Sequence, residues 1–159
     1  MGNVSTGIGY DAHRFAEGRR LILGGVELEH DLGLEGHSDA DVLTHAIADA
    51  LLGAAALGDI GQHFPDTDAR YRDSDSIELL GEVGRMLEDR GIDVLHVDAT
   101  VLIEQPHLAP VRDEMRGRLA AALGLDVNHV SVKATRAEGM GFVGRGEGAA
   151  ALAVATVER

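Results

Sequence analysis

The sequence predicts an α/β chain of α+β type, folded as one domain around a mixed β-sheet. Three observations carry this. Period-two and period-four apolar patterns alternate along the chain, the breaks between them are short and rich in Gly, Pro and Asp, and no repeat or linker-like stretch divides the 159 residues. A chain of this length buries a core without staples, so residues 1–159 are expected to act as a unit.

Taken in order, Val4 to Ala12 reads as a strand, and Arg20 to Leu28 as a hairpin whose short apolar arms meet at Gly24-Gly25. Asp39 to about Leu57 reads as a helix, with Ser38 as its N-cap, Asp41 in the capping-box position and Gly58 as its stop. Gly58 to Asp68 fits neither a helix nor a strand template, and such loops commonly bind or cover a ligand. A second helix is capped by Ser74 or Asp75 and runs to Arg90, with Gly91 beyond it. Leu95, Val97, Ala99, Val101 and Ile103 alternate as a half-buried strand, and Val111, Met115, Leu119 and Leu123 recur as a third helix ending at Gly124. Val130, Val132 and Ala134 form the next strand, and Ala149 to Glu158 closes the chain as another. Between these two strands five glycines lie within 139–148, implying backbone that is tightly packed or in a conformation only Gly adopts freely.

Composition narrows the function. A formal charge of −13 argues against nucleic-acid binding, which needs a basic footprint, and it repels anionic substrates unless cations offset the field. The absence of cysteine removes disulfides and thiolate metal sites, leaves His and carboxylates as the only metal ligands, and favours a cytoplasmic location. No apolar run approaches the ~20 residues of a membrane span. Met1 is followed by Gly2-Asn3-Val4-Ser5 rather than a basic, then apolar, leader. With so little aromatic mass and many alanines, the core is expected to be completed by self-association.

The chemistry gathers in two stretches. In Gly7-Ile8-Gly9-Tyr10-Asp11-Ala12-His13-Arg14-Phe15, Asp11 and His13 lie two apart, on one face of a strand. In His37-Ser38-Asp39-Ala40-Asp41-Val42-Leu43-Thr44-His45, the last histidine falls about two turns into the helix. One Asp and two His on separate rigid elements make a three-ligand set, which leaves a divalent metal open to water or substrate where a structural zinc site closes with four. His37, just before the helix start, suits a phosphate. Asp41, His45 and Asp49, at i, i+4 and i+8, form a polar stripe that is either a solvated face or a ligand row.

Four segments together resemble the 2-C-methyl-D-erythritol 2,4-cyclodiphosphate synthase family: Gly-Tyr-Asp-Ala-His-Arg-Phe, Gly-His-Ser-Asp-Ala-Asp-Val, Ala-Leu-Gly-Asp-Ile-Gly-x-x-Phe-Pro-Asp-Thr-Asp and Gly-Phe-x-Gly-Arg-Gly-Glu-Gly. The resemblance covers nearly the whole chain, in order. It implies a homotrimer with helices on one side of each sheet, the sheets facing a threefold axis, and active sites at subunit boundaries. The implied reaction is cyclisation of 4-diphosphocytidyl-2-C-methyl-D-erythritol 2-phosphate with release of CMP, a step of the non-mevalonate route to isoprenoids.

By position, the resemblance implies zinc or another divalent metal at Asp11, His13 and His45, and magnesium or manganese at Glu138. His37 and Arg136 take the catalytic, phosphate-stabilising positions. Asp59 falls where the ribose hydroxyls are held, Ser38, Ile60 and Gly61 are further substrate-binding positions, and Phe64, Pro65, Asp66, Thr67 and Asp68 form a loop over the methylerythritol. The cytidine pocket is implied at Ile103, Glu104, Gln105, Pro106, His107, Leu108 and Ala109, and across from them at Ala134, Thr135 and Ala137. Phe142 and Arg145 line substrate and, with Glu147, an axial cavity that in the family takes an isoprenoid diphosphate. The chain departs from the family pattern where a Lys commonly follows the proline of the cytidine turn, here His107, and where a Thr-Thr pair stands, here Arg136-Ala137.

Two other functions fit the same residues. A zinc-dependent nucleotide hydrolase would use Asp41 or Asp49 as general base, and a trimeric isoprenoid-diphosphate binder would have lost the nucleotide pocket at Arg136-Ala137. The cyclase needs no protein nucleophile, because the substrate's own 2-phosphate attacks. The chain accordingly has no cysteine, no Gly-x-Ser-x-Gly elbow and no Walker loop.

Overall fold

The computed structural model describes residues 2–159; Met1, the first residue of the stretch expected to lack a leader pattern, lies outside them. Five strands form the main sheet in the order β4-β1-β7-β5-β6, with β1 Val4–Ala16, β4 Gly33–Leu34, β5 Asp93–Leu102, β6 Val130–Thr135 and β7 Gly148–Glu158. β7 runs antiparallel to both β1 and β5, while β5 and β6 are parallel, so the sheet is mixed. The hairpin β2 Leu21–Leu23 and β3 Val26–Leu28 stands apart as a two-stranded ribbon. The helices are α1 Val42–Ala54, α2 Ile60–His63, α3 Ser76–Glu88, α4 Arg112–Leu123 and α5 Gly141–Gly144. Among the described residues, no helix is long and apolar enough to cross a membrane.

The closeness of α1 to the sheet follows from missing side chains. Gly7 and Gly9 are buried on the helix-facing side of β1, and a Cβ on either would collide with the α1 backbone at Ala46, Ala50 or Ala54. β7 answers with Ala151, Ala153 and Ala155 on the same face, all buried. Glycine and alanine on both sides let helix and sheet backbones approach, which carries α1 residues to the end of β1. Among the described residues, the opposite face of the sheet is open at β1 and β7. Ile8 and Tyr10 are 71% and 56% exposed there, beside their register partners Val154 and Leu152.

Several expected boundaries move. α1 starts at Val42, not Asp39, and its N-cap is Asp41, not Ser38. The buried Asp41 carboxylate accepts from Thr44 N (3.0 Å) and Thr44 Oγ1 (2.7 Å), and from Gly24 N (2.9 Å) and Gly25 N (2.8 Å) at the tip of the hairpin. Asp41 is therefore the tie between hairpin and helix, fully used by four donors. It belongs to neither a solvated stripe nor a ligand row, and cannot act as a general base. His45 falls one turn into α1 rather than two.

The loop after Gly58 contains one turn of helix, α2, because the Asp59 carboxylate caps it at Gln62 N (3.0 Å). α3 is capped by Asp75, one of the two candidates, and stops at Glu88, two residues before the expected end. Met115 and Leu119 of the α4 stripe are fully buried, with Val111 and Leu123 partly so at its ends. In the glycine-rich segment, Gly139, Gly141 and Gly146 have positive φ, and Cβ atoms on Gly144 and Gly148 would meet backbone, so both expected reasons for the glycines apply.

Candidate functional site

β1 presents Asp11 and His13 on its helix-facing side, and the close seat of α1 brings His45 to meet them. One donor atom from each of the three lies within 4.8 Å of the others. Asp11 Oδ2 is 2.9 Å from His13 Nε2 and 3.1 Å from His45 Nδ1, so both rings converge on one carboxylate oxygen. His13 Nδ1 lies 2.8 Å from the carbonyl oxygen of Glu35, which only accepts, so Nδ1 carries the proton and Nε2 keeps its lone pair. His13 Nε2 lies off the line a hydrogen bond to Asp11 would need and has no partner, although buried. A carboxylate oxygen and an unpartnered imidazole nitrogen aimed at one point fit a divalent cation. Burial pushes the Asp11 carboxyl up, but its contacts with the two imidazoles outweigh this and bring it down to about 2. Burial likewise lowers His13, and the Asp11 contact more than reverses it, leaving the imidazole above its ordinary value.

The triad opens into a cavity of about 450 Å³. His37 and Ser38 reach it from the segment before α1, Ile60 and Gly61 from α2, and Phe64, Pro65 and Asp66 from the following loop. Phe64 is buried edge-on against Tyr71, ring centres 5.3 Å apart, and this anchors the loop. His37 Nε2 is 3.1 Å from the carbonyl oxygen of Asp68. Of the other expected residues, Asp59 caps α2, Asp68 caps the turn Ala69–Tyr71 and pairs with Arg70 (2.6 Å), and Thr67 is exposed at the loop tip.

Sequence reasoning missed Tyr10, Gly36, Tyr71, Ser74 and Leu79 in this lining, and weighed Asp49 without placing it there. Asp49 Oδ1 accepts from Ile60 N at 3.0 Å, tying α2 to α1. Tyr10 alternates with the ligands along β1, and that period alone signals the opposite face of the strand.

A second cavity, also of about 450 Å³, shares no residue with the first. Ile103, Pro106, His107, Leu108 and Ala109 line one side, and Ala134, Thr135, Arg136 and Glu138 the other, with Arg112 of α4 between. Glu104 accepts from Ala137 N (2.5 Å), fastening the two walls together, and Gln105 is exposed at the rim. Phe142 and Glu147 border a third recess behind His13, where Glu147 pairs with Arg145 at 3.0 Å. Within one chain, Arg136 and Glu138 thus lie apart from the cavity that holds the triad.

Fold and site together define an α/β protein with an open, oxygen-and-nitrogen metal cradle at the mouth of a small-molecule cavity. Residues 4–158 match the model of the YgbB family, to which the chain belongs. It is 60% identical over 96% of its length, and 97% of the relative's, to a protein of Chlorobaculum tepidum named 2-C-methyl-D-erythritol 2,4-cyclodiphosphate synthase. Among solved structures, the bifunctional IspDF of Campylobacter jejuni superposes with a TM-score of 0.95 at 40% identity; the match covers 99% of this chain and 43% of that one. A 2C-methyl-D-erythritol-2,4-cyclodiphosphate synthase in a CDP-bound form superposes at 0.86 with 36% identity, covering 94% of this chain and 97% of that one.

Proposed function

We propose that the chain cyclises 4-diphosphocytidyl-2-C-methyl-D-erythritol 2-phosphate to 2-C-methyl-D-erythritol 2,4-cyclodiphosphate with release of CMP, acting as a phosphorus–oxygen lyase of isoprenoid biosynthesis in the cytoplasm. The observation that carries this reading is the convergence of Asp11, His13 and His45 at the mouth of a substrate-sized cavity, in a chain whose relatives bear that enzyme's name. Asp11, His13 and His45 would hold zinc or another divalent ion, which would supply Lewis acidity toward a phosphate, and Glu138 would hold magnesium or manganese, which would offset further charge.

The chain's own residues fold the substrate into attack geometry, an effect worth up to ~7–11 kcal/mol in favourable intramolecular reactions. His37 donates to phosphate oxygens from beside the triad, while Ser38, Ile60 and Gly61 shape the cavity wall. Asp59 holds the ribose hydroxyls, and the loop from Phe64 to Asp68 closes over the methylerythritol. The turn from Ile103 to Ala109, with Ala134 to Ala137, receives the cytidine. Arg136 clamps a phosphate bidentately in place of a hydroxyl.

The two cavities work together when subunits associate. A homotrimer packs the exposed apolar sheet faces around a threefold axis and sets the nucleotide cavity of one subunit beside the triad of the next, so the active sites sit at interfaces. The large exposure of Ile8 and Tyr10 supports this assembly. An isoprenoid diphosphate binds on the axis, in a cavity lined by Phe142, Arg145 and Glu147.

Phosphorus NMR of the product tests the reading: a cyclic diphosphate with stoichiometric CMP, abolished by chelator, supports cyclisation. Linear phosphates would assign the site to a hydrolase, and no turnover would leave an isoprenoid-diphosphate binder.

A further inference from the structure

His45 approaches Asp11 with Nδ1 at hydrogen-bond distance (3.1 Å), whereas His13 uses Nε2, so for both rings to aim lone pairs at one bound cation they must keep their protons on the opposite nitrogens, Nε2 and Nδ1. The Glu35 carbonyl settles this for His13. For His45, the nitrogen turned away from Asp11 is Nε2. It lies 2.7 Å from Ser76 Oγ, at the start of α3, and 3.2 Å from Ser38 Oγ. Ser76 is buried and its hydroxyl is in short contact with Asp39 Oδ1. A carboxylate oxygen only accepts, so the serine proton points at Asp39. The serine oxygen is then left to accept, so Nε2 donates to it; by the same rule Nδ1 donates to the Asp11 carboxylate in the metal-free ring, and a cation would displace that second proton.

Asp39 is itself held in place. Its Oδ1 also accepts from Asp41 N at 3.1 Å, and its Oδ2 accepts from Ser76 N at 3.0 Å. The direction of every proton in the row is fixed from the carboxylate outward.

We infer that Asp39 and Ser76 are positioning residues, a carboxylate–hydroxyl relay that holds a proton on His45 Nε2 and so leaves Nδ1, the nitrogen facing Asp11, as the one that gives its lone pair to a bound cation. The inference rests on Asp11, His13 and His45 being metal ligands for its consequence, though not for its geometry. The relay makes α3 part of the metal site without giving it a ligand, and it rigidifies the ring that arrives from α1. Such supports commonly change metal affinity 10–100-fold. Ser76→Ala removes the hydroxyl and keeps the Ser76 N–H contact with Asp39.

The test is ring-nitrogen NMR on zinc-loaded protein labelled in histidine, paired with zinc titration against a competing chelator. Wild type should show His45 bound through Nδ1 and protonated at Nε2, with His13 protonated at Nδ1. In Ser76→Ala, the His45 Nε2 proton should exchange with water faster and zinc affinity should fall at least tenfold, with His13 unchanged; Asp39→Asn should move both readouts the same way. The inference is overturned by His45 protonated at Nδ1 in zinc-loaded wild type, or by Ser76→Ala lowering the melting temperature while proton exchange and zinc affinity stay in place. Should wild type bind no zinc, the metal-site reading fails, and exchange of the His45 Nε2 proton in metal-free protein still decides the relay.

Discussion

Replacing Gly9 by alanine tests whether the metal site depends on how closely α1 rests on β1. A Cβ at Gly9 would lie 2.8 Å from Ala50 N and would overlap the Ala46 carbonyl oxygen, both backbone atoms of α1. Restoring a contact of ~3.5 Å to the first of these alone moves the helix by roughly 0.7 Å. Overpacking of this kind costs about 1–3 kcal/mol. The helix carries His45 one residue before Ala46, so the same shift separates Nδ1 from Asp11, and ligand geometry tolerates only ~0.2 Å. Urea melts should therefore lose about 2–3 kcal/mol, and chelator competition should show zinc binding weakened more than tenfold. Gly53→Ala is the control: its Cβ meets nothing nearer than Ile8 O at 3.9 Å, and removing a helical glycine stabilises by about 0.5–1 kcal/mol. Wild-type stability and zinc affinity in Gly9→Ala would refute the argument.

Other perturbations separate stability from chemistry. His45→Ala should fold and give no cyclic product; activity in zinc-supplemented buffer would remove His45 from the ligand set. Asp41→Ala leaves four donors without their acceptor, two of them at the hairpin tip, and should cost about 3–5 kcal/mol in urea melts. In metal-free protein, Asp11 ionises at about 2 against an ordinary 3.8. Its folded pKa is the lower one, so its contribution of about 2 kcal/mol is present above pH ~4 and lost as pH falls toward 2. Asp11→Asn should flatten that part of the acid limb, and an unchanged limb would place the acid sensitivity elsewhere. Glu138→Gln should abolish the magnesium dependence and most of kcat, where unaltered kinetics would contradict its role.

What the sequence disclosed and what it hid differ in the range of the interactions involved. Asp11 and His13 share a strand face, and His45 follows a capped helix start, so local periodicity places all three. Their motifs also carry the family. The cap itself was misplaced because Ser38 and Asp41 are both good N-cap residues, and the choice between them is made by the Gly24 and Gly25 amides, 17 and 16 residues away. Ser76 escaped notice for the same reason. It follows the two expected cap residues, Ser74 and Asp75, and only the pairing with Asp39, 37 residues earlier, links it to His45. Gly7 and Gly9 lie inside the strand expected from the sequence without a role of their own there, yet their missing side chains set the helix–sheet distance on which the metal cradle depends. A change at any of these distant partners would leave the Asp-x-His motif and the His45 helix legible in sequence while misaligning the lone pairs they supply. Metal competence in relatives should therefore track Gly9, Asp39 and Ser76 as well as the three ligands.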